Sequence, residues 1–264
     1  MKVLIVAAGR GSRLGVHSDQ TPKCLAPFAG SRLLDLQLSV LRGAGLDDIH
    51  LVRGYLGAQL DGLGLTLWDN PNWAATNMVA SMLCARPVME SGDDVVLAYG
   101  DIIYEEKILE ALLADDSEAS VIVDREWLKL WSLRSDDPLS DAESLRLDDA
   151  GNIIDIGRKV PSLEEIQAQY IGLMRFSAKA CGELLDILDR AARPGGDVQG
   201  KSVANCYMTD LLQAHIDHGG KLHAVTIDGG WIEVDTDEDL ARYTALVKAG
   251  TFGNLCGIKA LDGR

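Results

Sequence analysis

The first half of the chain alternates between short apolar runs and segments whose apolar residues recur at helical spacing. The apolar runs predict buried strands at 3–6, 48–52, 63–68, 94–99 and 119–123. The helical spacing predicts helices, the first capped by Ser31, at 31–46, 74–86 and 105–114. Because strands that alternate with helices form right-handed βαβ units, the pattern predicts an α/β fold. Its doubly wound, mostly parallel sheet would be covered by helices on both faces.

The pattern changes after residue 123. Residues 127–157 are largely polar, and the turn sequence DAGN at 149–152 lies between two short alternating pieces, which predicts a hairpin. Further strands are predicted at 169–176 and 221–227. Further helices, the last capped by Thr236, are predicted at 178–192, 208–218 and 236–248. We therefore expect a single domain over residues 1–264 that carries an antiparallel insertion at 125–176.

Composition narrows the functional classes. The 264 residues are 47% hydrophobic, which is enough for a sizeable core. The formal net charge of −15 argues against nucleic acids and anionic membranes as partners, since both require a basic face. Five scattered cysteines without a CxxC pair are typical of reduced thiols in the cytosol. With no signal-peptide core and no apolar run of about 18 residues, the sequence predicts a soluble cytoplasmic protein. It does not give the oligomeric state, and a homodimer is compatible with it.

A glycine-containing loop, AAGRGSRLGVHSDQTPK at 7–23, follows the first predicted strand. Backbone N–H groups of such a loop can approach a ligand closely and bind phosphate. Arg10, Arg13 and Lys23 add the positive charge that a triphosphate would require, which is locally unusual in so acidic a chain. Short glycine motifs also occur in ordinary β–loop–α connections, so the loop by itself leaves both interpretations open.

Carboxylates follow two later apolar segments. Asp101 comes directly after the strand at 94–99, at the end of the sheet where open α/β folds bind ligands. Glu233 and Asp235 alternate on one side of the extended segment 231–235, so both can face the same site. Beside a phosphate-binding loop, such oxygens are suited to Mg²⁺. A capping role for Asp101 and a solvated acidic edge for the other two are the competing interpretations.

Together these motifs resemble those of the nucleotidyltransferases that join a nucleoside triphosphate to a phosphorylated small molecule. The resemblance rests on AAGRGSRLG…TPK, YGD and WIEVDT, and it extends from residue 2 to about residue 245. The sequence NPNW followed by TNMVAS resembles the phosphocholine cytidylyltransferases. The segments DREW…LW…R…DAE and QYIGLMRFS resemble the 2-aminoethylphosphonate cytidylyltransferases still more closely.

The resemblance implies a Rossmann-like nucleotidyltransferase fold and a Mg²⁺-dependent enzyme. Such an enzyme would transfer CMP from CTP to a small amino-phosphonate or phosphate acceptor, with 2-aminoethylphosphonate favoured over phosphocholine, and release pyrophosphate. The matching positions imply that the catalytic residues are Arg13, Lys23 and Asp101. Mg²⁺ would be bound by Asp101 and Asp235, with Glu233 as a further candidate. The nucleotide would be contacted by Ala8, Gly9, Gly11, Ser12, Asn77 and Ser81.

An acceptor with an ammonium group requires carboxylates and aromatic faces, and its phosphonate requires cations. The candidates for the ammonium group are Tyr207, Asp210, Trp231 and Glu233. Those for the phosphonate, all within the 125–176 insertion, are Lys129, Arg134 and Arg158. Two tryptophans of the insertion are explained equally well by acceptor contact or by packing, namely Trp127 and Trp131. Since a phosphonate oxygen is already ionised, no general base is expected, and five histidines are interpreted as surface or satisfied residues: His17, His50, His215, His218 and His223.

Three other functional classes compete with this interpretation. A sugar-1-phosphate nucleotidyltransferase would share the loop and the carboxylates but would use UTP or dTTP. The presence of Lys23, Asp101 and Asp235 argues against a regulatory nucleotide-binding module without catalysis. A Rossmann dehydrogenase is argued against by the lack of GxGxxG spacing and by Arg53, which ends the second strand where a ribose-binding acid is expected.

Overall fold

The apolar runs form the strands of a central sheet. This computed structural model describes residues 1–259, except for the side chains of residues 16–18, so the interpretation of His17 lies outside the described residues. In this range the strands are β1 (Lys2–Ala7), β2 (Pro27–Phe28), β3 (Ser31–Arg32), β4 (Ile49–Arg53), β5 (Thr66–Asp69), β6 (Val95–Tyr99), β7 (Ile102–Tyr104), β8 (Ala119–Asp124), β9 (Leu145–Leu147), β10 (Ile153–Ile156), β11 (Gln169–Phe176), β12 (His223–Ile227) and β13 (Trp231–Glu233). The α-helices are α1 (Gly15–Gln20), α2 (Leu33–Gly43), α3 (Met78–Cys84), α4 (Arg86–Met89), α5 (Glu106–Ala114), α6 (Trp127–Arg134), α7 (Ala178–Ala191), α8 (Met208–Asp217) and α9 (Asp237–Lys248).

The central sheet of the described residues has seven strands in the order β12-β8-β11-β6-β1-β4-β5. β1 pairs in parallel with β4 and β6, β4 with β5, and β12 with β8. β11 is antiparallel to both of its neighbours, β6 and β8. The predicted α/β fold with a doubly wound, mostly parallel sheet is therefore confirmed.

The sheet separates two hydrophobic clusters. Side chains alternate across a strand, so β1 directs Val3 and Ile5 into one cluster and Leu4 into the other. The first cluster also takes its buried residues from α2, α5, α6 and α9, whereas the second takes them from α3, α4, α7 and α8. Helices thus cover both faces and leave the carboxyl ends of the parallel strands for a ligand. Every helix within residues 1–259 is too short or too polar to cross a membrane.

The expectation of an antiparallel insertion at 125–176 requires correction. Its last part, β11, is a strand of the central sheet, because the run QYIGLMRF is buried almost throughout and therefore suits an interior position. Its first part forms α6, whose buried residues Trp127, Leu130 and Trp131 lie at helical spacing. Within the described residues 125–176, only β9 and β10 form a separate antiparallel pair, joined by the predicted turn at 149–152.

Two predicted helix caps have different outcomes. Thr236 caps α9, since its hydroxyl accepts a hydrogen bond from the backbone N–H of Asp239 at 3.0 Å. Ser31 does not cap α2. That helix begins at Leu33 with Arg32 at the cap position, because Ser31 is paired with Phe28 in the short β2–β3 hairpin.

Candidate active site

The loop after β1 is shaped by a close contact with Lys23. Gly11 has a φ of +67°, and a Cβ atom there would lie 2.8 Å from Cβ of Lys23. A side chain at this position would therefore collide with the lysine stem and strain the backbone. The glycine lets the loop fold over Lys23 and directs the ammonium group toward the ends of the neighbouring strands.

Lys23 connects the two predicted metal ligands. Its Nζ lies 2.6 Å from Oδ2 of Asp101, which follows β6, and 2.7 Å from Oδ1 of Asp235, which follows β13. The other carboxylate oxygen of Asp235 forms an ion pair with Arg13. Four residues from three distant parts of the sequence thus meet at one edge of the sheet, which is the juxtaposition that the motifs predict. Their catalytic and metal-binding roles remain predictions.

The cluster of Arg13, Lys23, Asp101 and Asp235, here called the charge cluster, keeps Lys23 and Asp235 in their ionised forms. Burial acts to lower the pKa of Lys23, but the charges of Asp101, Asp235 and Glu233 outweigh it and raise that pKa above its ordinary value. Burial acts to raise the pKa of Asp235, but Lys23 and Arg13 outweigh it and lower that pKa. A neutral-pH site that contains an ammonium group and an ionised carboxylate is suited to phosphate groups and their counterions.

One cavity, here called the first cavity, opens above the glycine loop. At its charged end lie Lys23 and Asp101, together with the loop residues Ala8, Gly9 and Gly11. Its opposite end is formed by uncharged side chains, which include Trp73, Thr76, Asn77 and Ser81. Among the predicted nucleotide contacts, Ser12 does not line this cavity; it lies exposed in the one-turn helix that follows Gly11. The loop and the start of α3 therefore enclose a space with one charged and one neutral end.

The second cavity adjoins the first, and Met78 and Tyr99 line both. It is rich in carboxylates and aromatic rings, and these come from α6, β11, the start of α8, β13 and the segment before β9. Its carboxylates are Asp141, Glu143 and Glu233, and its other aromatic residues are Trp131, Tyr170, Tyr207 and Trp231. Among the described lining residues there is no lysine or arginine. Such a lining is suited to a cation, which the acidic groups attract and the ring faces stabilise.

A third cavity lies between the second cavity and the charge cluster. Its lining includes Arg13 and Asp235 from the charge cluster, and Trp131 and Asp141, which also line the second cavity. Arg134 lines it as well. A ligand that fills the second cavity can therefore extend an anionic end toward Arg13.

Arg134 organises this side of the site. Its guanidinium lies 2.7 Å from Glu233 and 3.2 Å from Asp239, and the arginine side chain is almost fully buried. Burial raises the pKa of Glu233 to about 7, although Arg134 and Lys23 act in the opposite direction. The arginine is therefore bound within the protein, and it holds Glu233 at the junction of the second cavity and the charge cluster.

Three predicted acceptor contacts lie elsewhere. Asp210 belongs to the cap of α8, where it accepts a hydrogen bond from the backbone of Tyr207 and pairs with Lys201 at 2.8 Å. Lys129 has a side chain that is 71% exposed and pairs with Glu126, one turn earlier in α6. Arg158 pairs with Asp155 on the surface. None of the three lines the described cavities, and each is held by an ion-pair partner nearby in the sequence.

The acidic residues Asp141 and Glu143 are site residues that the sequence did not reveal. Gln169 of β11 holds this segment in place, since its side chain bonds to both the backbone N–H and the carbonyl of Glu143. Burial raises the pKa of Glu143. In the sequence these acids belong to the DAE of the stretch DDPLSDAES, which contributes to the family resemblance but has no periodic signal that would assign them to a site. Only the tertiary contact with β11 shows that they face a cavity.

The residues of the charge cluster fit a divalent cation of the Mg²⁺ type. Asp101 has one buried carboxylate oxygen, Oδ1, that has no hydrogen-bond partner among the described residues. Mg²⁺ prefers oxygen ligands and is usually held by one or two carboxylates together with phosphate and water. The described residues contain no group of three or more side chains that could bind a metal by themselves. Asp101 and Asp235 are thus suited to a metal that shares its ligands with a bound phosphate.

Comparison with known proteins places this site in a family. Residues 3–153, more than half of the chain, match the MobA-like NTP transferase domain. The chain belongs to this family. A CTP:phosphoglutamine cytidylyltransferase of Campylobacter jejuni is 36% identical over 255 residues, which are 91% of this chain and 98% of that protein. The predicted membership of the cytidylyltransferase group is confirmed.

Two further similarities agree with this assignment. A CMP-5'-(3-aminopropyl)phosphonate synthase of Streptomyces rubellomurinus is 34% identical over 133 residues, which are 47% of this chain and 21% of that protein. The solved structure of a CTP:phosphocholine cytidylyltransferase from Streptococcus pneumoniae superposes with a TM-score of 0.70 at 21% identity, covering 93% of this chain and 98% of that one. The last match confirms the nucleotidyltransferase fold.

Proposed function

We propose that this protein transfers CMP from CTP to a small acceptor that carries a phosphate or phosphonate at one end and an ammonium group at the other. The observation that supports this proposal is the pair of adjoining cavities, one with Lys23 and Asp101 beside the glycine loop and one with three carboxylates and aromatic walls. The relatives named above, which are cytidylyltransferases and a CMP–phosphonate synthase, support the use of CTP. The charge cluster that contains Lys23 lies beside both cavities.

In the proposed reaction, an oxygen of the acceptor attacks the α-phosphorus of CTP. The new P–O bond forms as the bond to the β-phosphate breaks, and pyrophosphate leaves with that electron pair. Since the attacking oxygen is already ionised, the protein needs no general base. Lys23 and Arg13 would bind the phosphates, and the catalytic effect would come from positioning and from neutralising the charge that develops.

Mg²⁺ would be held by Asp101 and Asp235, and it would neutralise phosphate charge when bound. The residues fit this role because Asp101 offers an unpaired buried oxygen and Asp235 is kept ionised. Lys23, which joins the two carboxylates in the protein described here, would then turn to the triphosphate. With Mg²⁺ and the triphosphate bound, Asp101 and Asp235 would thus pair with the metal and Lys23 with the phosphates.

The lining of the second cavity favours a primary ammonium group on the acceptor. Three carboxylates can accept several N–H hydrogen bonds, and a trimethylated ammonium group has none to donate. We therefore rank 2-aminoethylphosphonate first and phosphocholine next. Phosphoglutamine is a further candidate, because the Campylobacter jejuni relative acts on it according to its name and is 36% identical to this chain. The absence of lysine and arginine from the described lining of this cavity argues against an acceptor carboxylate.

A pyrophosphate-release assay tests the proposal. CTP, UTP, dTTP, ATP and GTP are each combined with 2-aminoethylphosphonate, phosphoethanolamine, phosphocholine, phosphoglutamine and glucose 1-phosphate in the presence of Mg²⁺. We expect pyrophosphate release when CTP is the nucleotide. Among the acceptors, we expect the highest kcat/KM for 2-aminoethylphosphonate. Release with UTP or dTTP and glucose 1-phosphate alone would show a sugar-phosphate nucleotidyltransferase instead. No release with any CTP pair would refute the proposal.

A further inference from the structure

Asn70 lies outside the first cavity yet contacts two hydroxyl groups that line it. The residue is only 3% exposed and does not belong to the lining. Its side-chain Nδ2 donates hydrogen bonds to Oγ1 of Thr76 at 3.0 Å and to Oγ of Ser81 at 2.9 Å. A single buried amide therefore connects two polar groups at the neutral end of the first cavity.

The orientation of this amide is determined by the backbone. The N–H of Asn72 donates to the Asn70 side chain at 2.9 Å, and a backbone N–H can only donate. The atom that it meets must be the amide oxygen, so the amide nitrogen must face Thr76 and Ser81. Both hydroxyl oxygens therefore act as acceptors toward Asn70, and each must direct its own proton elsewhere.

The two hydroxyl protons have different partners. Thr76 donates to the carbonyl of Asn72 at 3.0 Å. Within the described residues, the acceptor for Ser81 is the carbonyl of Asn77 at 3.5 Å, and that carbonyl already accepts the backbone N–H of Ser81 at 3.2 Å. A hydrogen bond of this length is weak. The Ser81 hydroxyl is therefore available as a donor to a ligand in the first cavity.

The neutral end of the first cavity is the place for a nucleobase, because Lys23 and Asp101 occupy the charged end, which suits the triphosphate. We infer that Asn70 makes the site selective for CTP over UTP by holding the Ser81 hydroxyl as a donor toward N3 of the base. This inference rests on the proposed use of CTP. N3 of cytosine accepts a hydrogen bond, whereas N3 of uracil carries a hydrogen. The Ser81 hydroxyl would donate to N3 of cytosine, whereas it could accept the N–H of uracil only by turning its own proton to the long contact with Asn77.

The substitution Asn70→Asp tests this role because it preserves shape and reverses the hydrogen bonding. The new carboxylate oxygen accepts from both hydroxyls, so Ser81 would present its lone pairs to the base. We expect the ratio of the dissociation constants for UTP and CTP to fall on the order of 10- to 100-fold. The measurement is titration calorimetry of each nucleotide with Mg²⁺ and without acceptor. Any uniform effect of the added negative charge on triphosphate affinity cancels in the ratio.

Two further variants complete the experiment. Asn72→Asp places the same charge on an exposed neighbouring side chain and should leave the ratio unchanged. Ser81→Ala removes the donor while Asn70 remains, and should also abolish most of the preference, which keeps the test decisive if Asn70→Asp does not fold. If the wild-type protein prefers CTP and the variants keep this preference, the inferred role of Asn70 is overturned and the proposed function stands. A wild-type protein that does not prefer CTP would overturn both this inference and the proposed function.

Discussion

The first and second cavities lie side by side but are built in different ways. The first is formed largely by two continuous segments, the glycine loop and the stretch from Trp73 to Ser81, and much of its surface is backbone or small side chains. The second draws its carboxylates and rings from at least five separate segments. The first is thus a product of local sequence, whereas the second is a product of tertiary packing.

This difference corresponds to what each cavity would recognise. A nucleoside triphosphate offers many phosphate oxygens, and a loop of backbone N–H groups with a lysine is a general solution for binding them. A small ammonium-bearing acceptor offers one cation, which must be recognised by a particular set of side chains. We therefore expect substitutions at the charge cluster to abolish turnover and substitutions in the second cavity to change acceptor selection. The predictions below test this division.

The largest effect is expected for Asp101→Asn. The carboxylate lies 2.6 Å from Lys23 and has an unpaired buried oxygen, so its loss removes a proposed metal ligand and weakens the placement of the lysine. We expect kcat/KM to fall roughly 10²- to 10³-fold, with a higher Mg²⁺ concentration needed for half-maximal rate. Pyrophosphate release over a Mg²⁺ titration measures both. Asp149→Asn, in the exposed hairpin turn, is the matched control, and an activity of Asp101→Asn within a few-fold of wild type would refute the metal assignment.

The next largest effect is expected for the removal of Arg134, and it is an effect on the stability of the fold. Arg134→Met leaves the buried Asp239 and the partly buried Glu233 without their cation. Breaking a buried ion pair from one side costs about 3 kcal/mol of unfolding free energy. Urea unfolding followed by circular dichroism measures this loss. Arg125→Met, which removes an exposed and solvent-screened pair with Asp228, should cost far less, and equal losses for the two variants would contradict the structural role of Arg134.

The sequence predicts the first cavity much better than the second. Lys23 and Asp101 are found because they belong to the loop after β1 and the end of β6, which are neighbouring parallel strands that end at one edge. Asp235 is found as a carboxylate beside a short extended segment, and the antiparallel pairing of β13 with β7 brings it to the same edge. Asn77 and Ser81 are found through the family resemblance of TNMVAS, and their spacing of one helical turn agrees with it. Apart from that resemblance, these inferences need only local spacing and sheet topology.

The second cavity escapes such reasoning for physical reasons. Glu143 faces a cavity only because Gln169, 26 residues later, binds its backbone. Conversely, Asp210 lies near the right segment but is used to cap α8, and Lys129 points to solvent from a helix that the sequence did not predict. Residues that are far apart in sequence and have no periodic signal are brought together by packing alone.

A smaller effect, confined to the acceptor, is expected for Glu143→Gln. The amide keeps the size of the side chain and removes a negative charge that would attract the ammonium group. We expect KM for the acceptor to rise roughly 10- to 30-fold while KM for CTP stays within twofold. Initial rates at varied concentrations of each substrate separate the two constants. Glu165→Gln, on an exposed turn, should change neither constant. A comparable rise in the KM for CTP would show that the two cavities do not act separately.

The smallest effect is the pH dependence that Glu233 should impose on the acceptor. Burial raises the pKa of this carboxyl to about 7, so it is mostly ionised at pH 8 and mostly protonated at pH 6. An ammonium group binds the ionised form better, and the KM for the acceptor should therefore rise about fivefold when the pH falls from 8 to 6.

The phosphonate or phosphate of the acceptor titrates in the same range, with a second pKa of about 6 for phosphate, and could produce a similar trend. Glu233→Gln separates the two causes, because the variant keeps the titration of the acceptor and lacks that of the protein. We expect the variant to have a raised KM at both pH values and a clearly smaller ratio between them. If wild type and variant instead show the same ratio, the pH dependence belongs to the substrate, and Glu233 serves only to hold Arg134 in place.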